Sequence, residues 1–98
     1  MSAVTMKIDE ILASGAQLNS AFITFLKVDL DIALTFSALA LGTRDAIKRE
    51  RYRRRVLSAY RTVDRLSGRV TLTANDAQLV AHKLEQLRLE LLQLEEAG

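Results

Sequence analysis

Clustered basic side chains are the first feature of this 98-residue chain that could do chemistry. Residues 44–69 hold ten of its fourteen basic residues and three of its twelve acids, a net charge of +7 in a chain of net charge +2. Clustered arginines bind phosphate groups and acidic surfaces without needing a sequence motif. The sequence therefore predicts a binding site for an acidic protein or for nucleic acid, made of Lys48, Arg49, Arg51, Arg53, Arg54 and Arg55.

The same charges could instead be matched inside the fold. If the chain forms antiparallel helical hairpins, acids of the neighbouring helices lie level with this basic run. Exposed ion pairs contribute only about 0–1 kcal/mol each, but they can select helix order and direction. Pairing within the fold is the favoured interpretation, and an external acidic partner is the alternative. The acids expected beside the basic run are Asp31, Glu85, Glu90 and Glu95.

Asp29 is the most unusual single acid, because it lies on an apolar stripe of its predicted helix. A buried carboxylate needs a bonded partner or a shifted pKa. We expect Asp29 and Tyr60 to be buried polar groups, with Asp29 linked to Tyr60 or to an arginine. The alternative is a ligand-binding carboxylate in a cavity lined by Phe22, Phe25 and Phe36.

Other combinations of residues that could catalyse a reaction or bind a metal are weak. His82 and Glu85 are three residues apart on one predicted helix, yet the chain has no second histidine and no cysteine, so no metal site is expected. No serine has a histidine nearby, and no phosphate-binding loop or dinucleotide motif occurs. The sequence therefore predicts a protein that is not an enzyme and that uses no cofactor and no metal.

Helices must position all of these residues, because no segment alternates as a strand does. There is no proline, and the internal glycines Gly15, Gly42 and Gly68 divide the chain into four segments. Glycine just past a helix end is a common cap. The sequence therefore predicts an all-α single domain over residues 1–98, an antiparallel helical bundle of three long helices plus a short N-terminal helix. The expected helices are about 3–14, 19–41, 44–67 and 74–96.

The last predicted helix has apolar residues on two faces. Its main series begins with Ala77 and Val80 and continues at alternating spacings of four and three residues, which is typical of a coiled-coil seam. Leu89 and Leu92 lie on the opposite face. Two apolar faces on one helix of a small chain favour burial of the second face in a homodimer. The predicted oligomer interface is Leu84, Leu87, Leu89, Leu91, Leu92 and Leu94.

Residues 21–41 are apolar enough to require a test for a membrane span. Lys27, Asp29 and Asp31 interrupt them, and the uncharged runs on either side fall well short of the roughly 20 residues that a span needs. The N-terminus lacks a basic region followed by an apolar run, so no secretory signal is expected. A chain without cysteine is compatible with a reducing compartment. We therefore expect a cytoplasmic protein with no membrane segment.

Two stretches, FLKVDLDIALTF over residues 25–36 and AYRTV over residues 59–63, resemble short uncharacterised bacterial proteins that are all-helical. The resemblance implies a small helical protein of bacterial type and no particular activity. The paired helices are also similar to a tetratricopeptide unit, although its signature does not recur. The predicted function is a helical interaction or structural protein that self-associates through its C-terminal helix. The alternative is a nucleic-acid-associated protein that uses the basic face of the third predicted helix.

Overall fold

The computed structural model describes the backbone of residues 2–97 and the side chains of residues 15–96. It contains three α-helices joined by short connections: α1 (Ser2–Gly42), α2 (Ala46–Ser67) and α3 (Ala74–Ala97). No strand occurs in residues 2–97. The three helices pack on one another around a shared apolar core. The prediction of an all-α fold with three long packed helices is therefore confirmed.

The predicted short N-terminal helix is wrong as a separate element, because α1 continues without a break from Ser2 through Gly15 to Gly42. A single glycine inside a helix costs only about 1 kcal/mol relative to alanine, which a long helix tolerates. Gly15 has nothing within 4 Å of the position that a Cβ atom would take, so no close approach explains it either. The side chains of residues 3–14 lie outside the described residues.

Hydrogen-bonding side chains explain where α2 and α3 begin. Asp45 caps α2: its carboxylate accepts hydrogen bonds from the backbone N–H groups of Ile47 at 2.9 Å and Lys48 at 3.2 Å. Thr73 caps α3 by accepting a hydrogen bond from the N–H of Asp76 at 3.1 Å. Caps of this kind satisfy donors that a helix start leaves free, and each typically stabilises a helix by about 1 kcal/mol.

Asn19 of α1 holds the connection between α2 and α3. Its side-chain amide donates a hydrogen bond to the carbonyl of Thr71 at 3.1 Å and accepts one from the N–H of Thr71 at 2.9 Å. The pair satisfies one backbone donor and one backbone acceptor that the connection would otherwise leave to water. It also fixes the height of this connection along α1.

The direction of each helix follows from the contacts between them. Asp29 of α1 faces Arg55 of α2, and further along α1 Phe36 faces Tyr52, so that α1 and α2 are antiparallel. In the contacts between α1 and α3, higher residue numbers on α1 meet higher residue numbers on α3, so these two helices are parallel. These contacts are Lys27 with Asp76, Asp31 with Lys83 and Ser37 with Glu90.

Each helix contributes one stripe of apolar residues to the core. Within each stripe most residues recur at spacings of three, four or seven, as expected when one side of a helix is buried. Most of these side chains are small or medium in size, which suits three helices that meet along a narrow line. The core residues are Leu26, Leu30 and Ala33 of α1, Val56, Ala59 and Val63 of α2, and Val80, Leu87 and Leu91 of α3.

Replacement of Leu87 by alanine tests how α3 is oriented. Leu87 is fully buried, so Leu87→Ala should lower the free energy of unfolding by about 2–5 kcal/mol. Leu89→Ala is the matched control two residues away, where the side chain is 48% exposed, and it should cost less than about 1 kcal/mol. Urea unfolding followed by circular dichroism measures both variants. Equal losses would contradict the orientation of α3.

Candidate interaction surfaces

Four arginines lie on the side of α2 that faces away from the core. Arg51, Arg54, Arg61 and Arg65 are all exposed. A helix turns by about 100° per residue, which places these four positions opposite the buried stripe of the same helix. Three of them border a shallow groove of about 320 Å³ that also contains two hydroxyl side chains. We call Arg51, Arg54, Ser58, Arg61, Thr62 and Arg65 the outer face of α2.

The start of the predicted basic run is partly free and partly bonded. Lys48 and Arg51 are exposed, and neither side chain has an ion pair or hydrogen bond among the described residues. Arg49 is half-buried and donates a hydrogen bond to the backbone carbonyl of Thr43 at 3.0 Å. Arg49 therefore helps to hold the α1–α2 connection, whereas the other two cations face solvent.

Glu50 neutralises part of the charge of the next two arginines. Arg53 donates two hydrogen bonds of 2.8 Å to its carboxylate, and Arg54 donates one of 3.1 Å. These donors, Arg53 first and then Arg54, lower the pKa of Glu50 from 4.5 to about 2. In return Glu50 raises the pKa of Arg53, with a smaller contribution from Glu95 of α3. Pairing with Glu50 thus neutralises the charge of Arg53 and part of the charge of Arg54.

Acids of α3 do not form the expected ion pairs with α2. Glu85 is bonded to Arg88 of its own helix at 2.6 and 2.9 Å, and Glu90 contacts α1 instead. Asp31 of α1 pairs with Lys83 of α3 and with no arginine of the basic run. Among side chains 15–96, no ion pair within 4 Å joins α2 to α3. The favoured interpretation was pairing with acids of both neighbouring helices, and none of the four expected acids, Asp31, Glu85, Glu90 and Glu95, forms an ion pair with the basic run among side chains 15–96.

Among side chains 15–96, Asp29 is the one acid of a neighbouring helix that lies within 4 Å of a cation of the basic run. Its side chain is buried, with 8% of the residue exposed. The guanidinium of Arg55 lies 3.7 Å from the carboxylate of Asp29 and 5.8 Å from the centre of the Phe36 ring. Tyr60 is half-buried and packs against the core, and no hydrogen bond joins it to Asp29 among the described residues. Asp29 therefore links α1 to α2 through an arginine.

Asp29 does not line the groove that is formed by two of the three phenylalanines. Phe22 and Phe25 line an open apolar groove of about 410 Å³ between α1 and α2, but neither Asp29 nor Phe36 belongs to it. The Phe36 ring instead packs against Tyr52, with 5.8 Å between ring centres. The geometry does not support a ligand site built on Asp29 and these three phenylalanines. The remaining residues of the groove are Leu18, Ala21, Thr62 and Leu66.

Ser37 and Glu90 form a polar contact inside the bundle that sequence reasoning missed. The hydroxyl of Ser37 is fully buried and donates a hydrogen bond to Oε1 of Glu90 at 3.1 Å. Oε2 of Glu90 is also buried and has no hydrogen-bond partner among the described residues. Ser37 recurs with Ala33 and Ala40 at spacings of four and three, and this was the available signal that it faces the core.

An apolar stripe runs along the exposed side of α1, about a third of a turn from its core-facing residues. Phe25 is 46% exposed and Val28 is 51% exposed, although both belong to the central helix of the bundle. The spacing along the stripe alternates between three and four residues, as in a coiled-coil seam. We call the following residues the apolar stripe of α1: Leu18, Ala21, Phe25, Val28, Ile32, Thr35 and Leu39.

The predicted oligomer interface on α3 is divided by the fold. Leu87, Leu91 and Leu94 are buried within the chain itself, and Leu84 is half-buried against the core. Leu89 and Leu92 are exposed, at 48% and 44%. The coiled-coil seam of α3 therefore packs on α1 and α2 of the same chain. Of the six predicted interface residues, Leu89 and Leu92 are the two that face outward and are available to a partner.

Among the described residues, no group of three histidine, cysteine or acidic side chains lies close enough to hold a metal ion. Within the same residues, no helix is both long and apolar enough to cross a membrane. Comparisons with protein-family models, with curated proteins and with solved structures found no match in any of the three. A functional proposal must therefore rest on the outer face of α2, the apolar stripe of α1 and the exposed leucines of α3.

The low pKa of Glu50 predicts a pH-dependent contribution to stability. Because the folded-state pKa is about 2 and the ordinary value is 4.5, the contribution is present above pH 4.5 and is lost as the pH falls towards 2. We expect the difference in unfolding free energy between wild type and Glu50→Gln to be constant at neutral pH and to shrink over this acidic range. In an Arg53→Gln/Arg54→Gln background the same substitution should produce no such pH dependence.

The Ser37–Glu90 contact predicts a characteristic pair of stability changes. Ser37→Ala should lower the free energy of unfolding by about 1–3 kcal/mol, because it leaves a part-buried carboxylate without its donor. The double variant Ser37→Ala/Glu90→Leu should recover most of that loss, since both polar partners are then gone. Chemical denaturation of the two variants measures the difference. A double variant that is less stable than Ser37→Ala would contradict the expected cost of the lone carboxylate.

Proposed function

We propose that this protein is a non-enzymatic helical interaction protein that self-associates, and that two copies pack through the apolar stripe of α1. The observation that carries this proposal is the exposure of Leu18, Phe25, Val28, Ile32 and Leu39 on one side of one helix. Scattered exposed apolar residues need no explanation, but a continuous row of them indicates a binding surface. A cytoplasmic location, expected from the sequence, belongs to the same proposal.

A second copy of the chain is the occupant that best fits this stripe. From Leu18 to Leu39 the stripe is about 32 Å long at 1.5 Å per residue. Its three-and-four spacing is the pattern with which one helix interlocks with another helix of the same period. An identical chain offers a stripe of the same length and spacing. Symmetric homodimers are also the commonest assemblies of soluble proteins.

Charges beside the stripe do not oppose this pairing. Asp29 and Asp31 are the acids that flank it, and each already has a basic partner in its own chain, Arg55 and Lys83 respectively. Pairing of two copies through the apolar stripe of α1 therefore brings no unpaired like charges together. Unpaired like charges at this place would disfavour association. Phe22 lies next to the stripe and widens the apolar surface.

The C-terminal helix offers a smaller surface for the same purpose. Leu89 and Leu92 span about one turn of α3, because the rest of its leucine seam is occupied by the core. The self-association expected from the sequence is kept in this proposal, and α1 takes the place of α3 as its main surface. The two surfaces lie on different helices and can be tested separately.

Light scattering coupled to size exclusion tests the proposal. Wild type at high micromolar concentration should have twice the 10.9 kDa mass of one chain, and Phe25→Glu/Ile32→Glu should reduce it to one chain. The matched control is Leu89→Glu/Leu92→Glu, which places two charges at similarly exposed positions on α3 and should leave the dimer intact.

Circular dichroism must show that both variants keep the helical content of wild type. A wild type that is monomeric at high micromolar concentration would contradict self-association. Loss of the dimer in the α3 variant alone would move the interface to Leu89 and Leu92. Loss in both variants to the same extent would mean that added negative charge, and not one of these two surfaces, determines the result.

A further inference from the structure

We propose that the outer face of α2 binds the phosphate backbone of double-stranded nucleic acid without reading its sequence. This inference goes beyond self-association and does not depend on it, because it concerns a different helix. It rests on four exposed arginines along one side of α2, Arg51, Arg54, Arg61 and Arg65, and on the hydroxyl side chains that lie between them.

The length of this face suits a nucleic-acid strand. From Arg51 to Arg65 it spans about 21 Å at 1.5 Å per residue. One strand of a duplex carries a phosphate about every 3.4 Å along the axis, so the face covers roughly six phosphates of that strand. Ser58 and Thr62 lie among the arginines in the shallow groove, and hydroxyl groups commonly donate hydrogen bonds to phosphate oxygens.

The positive charge of this face is available because acids among the described residues neutralise only part of it. Arg51, Arg61 and Arg65 have no acidic group within 4 Å among the described residues, and Arg54 shares Glu50 with Arg53. The side chain of Arg54 is still 76% exposed. Further exposed cations lie at or beyond both ends of the face and extend the positive potential along α2. They are Arg44 and Lys48 before it and Arg69 after it.

The composition of the face favours a phosphate backbone over an acidic protein. Protein interfaces usually have a buried centre of aromatic or aliphatic residues. Here the only apolar side chain in the groove is Leu57, which is half-buried. Neither Tyr52 nor Tyr60 lies on this face, since both pack towards the core. Without an exposed aromatic group there is no platform for stacking the bases of a single strand, so a duplex is the expected ligand.

Fluorescence anisotropy with a labelled 20-base-pair DNA duplex of arbitrary sequence tests this inference. Four phosphate contacts predict a slope of about −3.6 for log affinity against log salt, which is a loss of about 100-fold between 50 and 200 mM salt. Arg61→Gln/Arg65→Gln should halve the slope and reduce the loss to roughly 10-fold. A second duplex of unrelated sequence should bind equally well.

The matched control is Lys27→Gln/Arg88→Gln, which removes the same formal charge from α1 and α3. Lys27 pairs with Asp76 and Arg88 pairs with Glu85, so neither substitution changes a partner of the outer face of α2, and the control should keep the wild-type slope. An equal effect of both variants would show that net charge alone governs binding. The inference is overturned by that result, or by no duplex binding at 50 mM salt.

Two competitors separate the alternative ligands. Unlabelled poly-L-glutamate at the same charge concentration should displace the duplex poorly, because a flexible acidic chain does not present phosphates in a fixed row. Equal displacement would assign the face to acidic proteins and overturn the inference. A single strand of 20 thymidines should bind more weakly than the duplex, and tighter binding of that strand would overturn the choice of a duplex.

Discussion

The burial of one side of α1 between α2 and α3 is the interaction on which the rest of the structure depends. Leu26 and Leu30 are completely shielded from solvent by the two shorter helices. Most of the stability of a helix in a protein comes from tertiary packing of its apolar face, so the order of α2 and α3 comes from packing on α1. Two neighbours cover only part of the circumference of a helix. The apolar stripe of α1, about a third of a turn from the buried side, therefore stays exposed.

The same packing leaves the outer side of α2 outside the core, so its side chains are not needed to hold the bundle together. The buried residues of α2 are the short side chains of Val56, Ala59 and Val63, and the arginines are turned away from them. Like charges three or four residues apart, as in Arg51 with Arg54, destabilise a helix by a few tenths of a kcal/mol per pair. Glu50 offsets part of the charge of Arg54, whereas Arg51, Arg61 and Arg65 have no acid within 4 Å among the described residues, so contacts within that part of the chain do not offset this cost.

A small number of polar contacts set the register of the helices. The ion pairs of Lys27 with Asp76 and of Asp31 with Lys83 join α1 to α3 at two heights, and Asn19 fixes the loop between α2 and α3. Exposed pairs of this kind contribute little energy each, but together they disfavour a slip of one helix along another. Among side chains 15–42 of α1, Lys27 and Asp31 are paired in this way and Asp29 pairs with Arg55, so the exposed stripe carries no unpaired charge in this part of the helix.

Helix type and most helix ends were predictable from the sequence, because capping and hydrophobic periodicity act between residues a few positions apart. The predicted segments 44–67 and 74–96 differ from α2 and α3 by two residues at most. Gly15 misled the prediction because the cost of one glycine is small beside the stability of a long helix.

By itself, then, the sequence determined an all-helical chain with apolar and basic stripes. The tertiary structure decided which stripe each neighbour covers: the leucine seam of α3 went into the core, and the acids of α3 did not meet the arginines of α2. The reason is that periodicity defines the faces of a helix, whereas the rotation of each helix about its axis depends on the packing of all three.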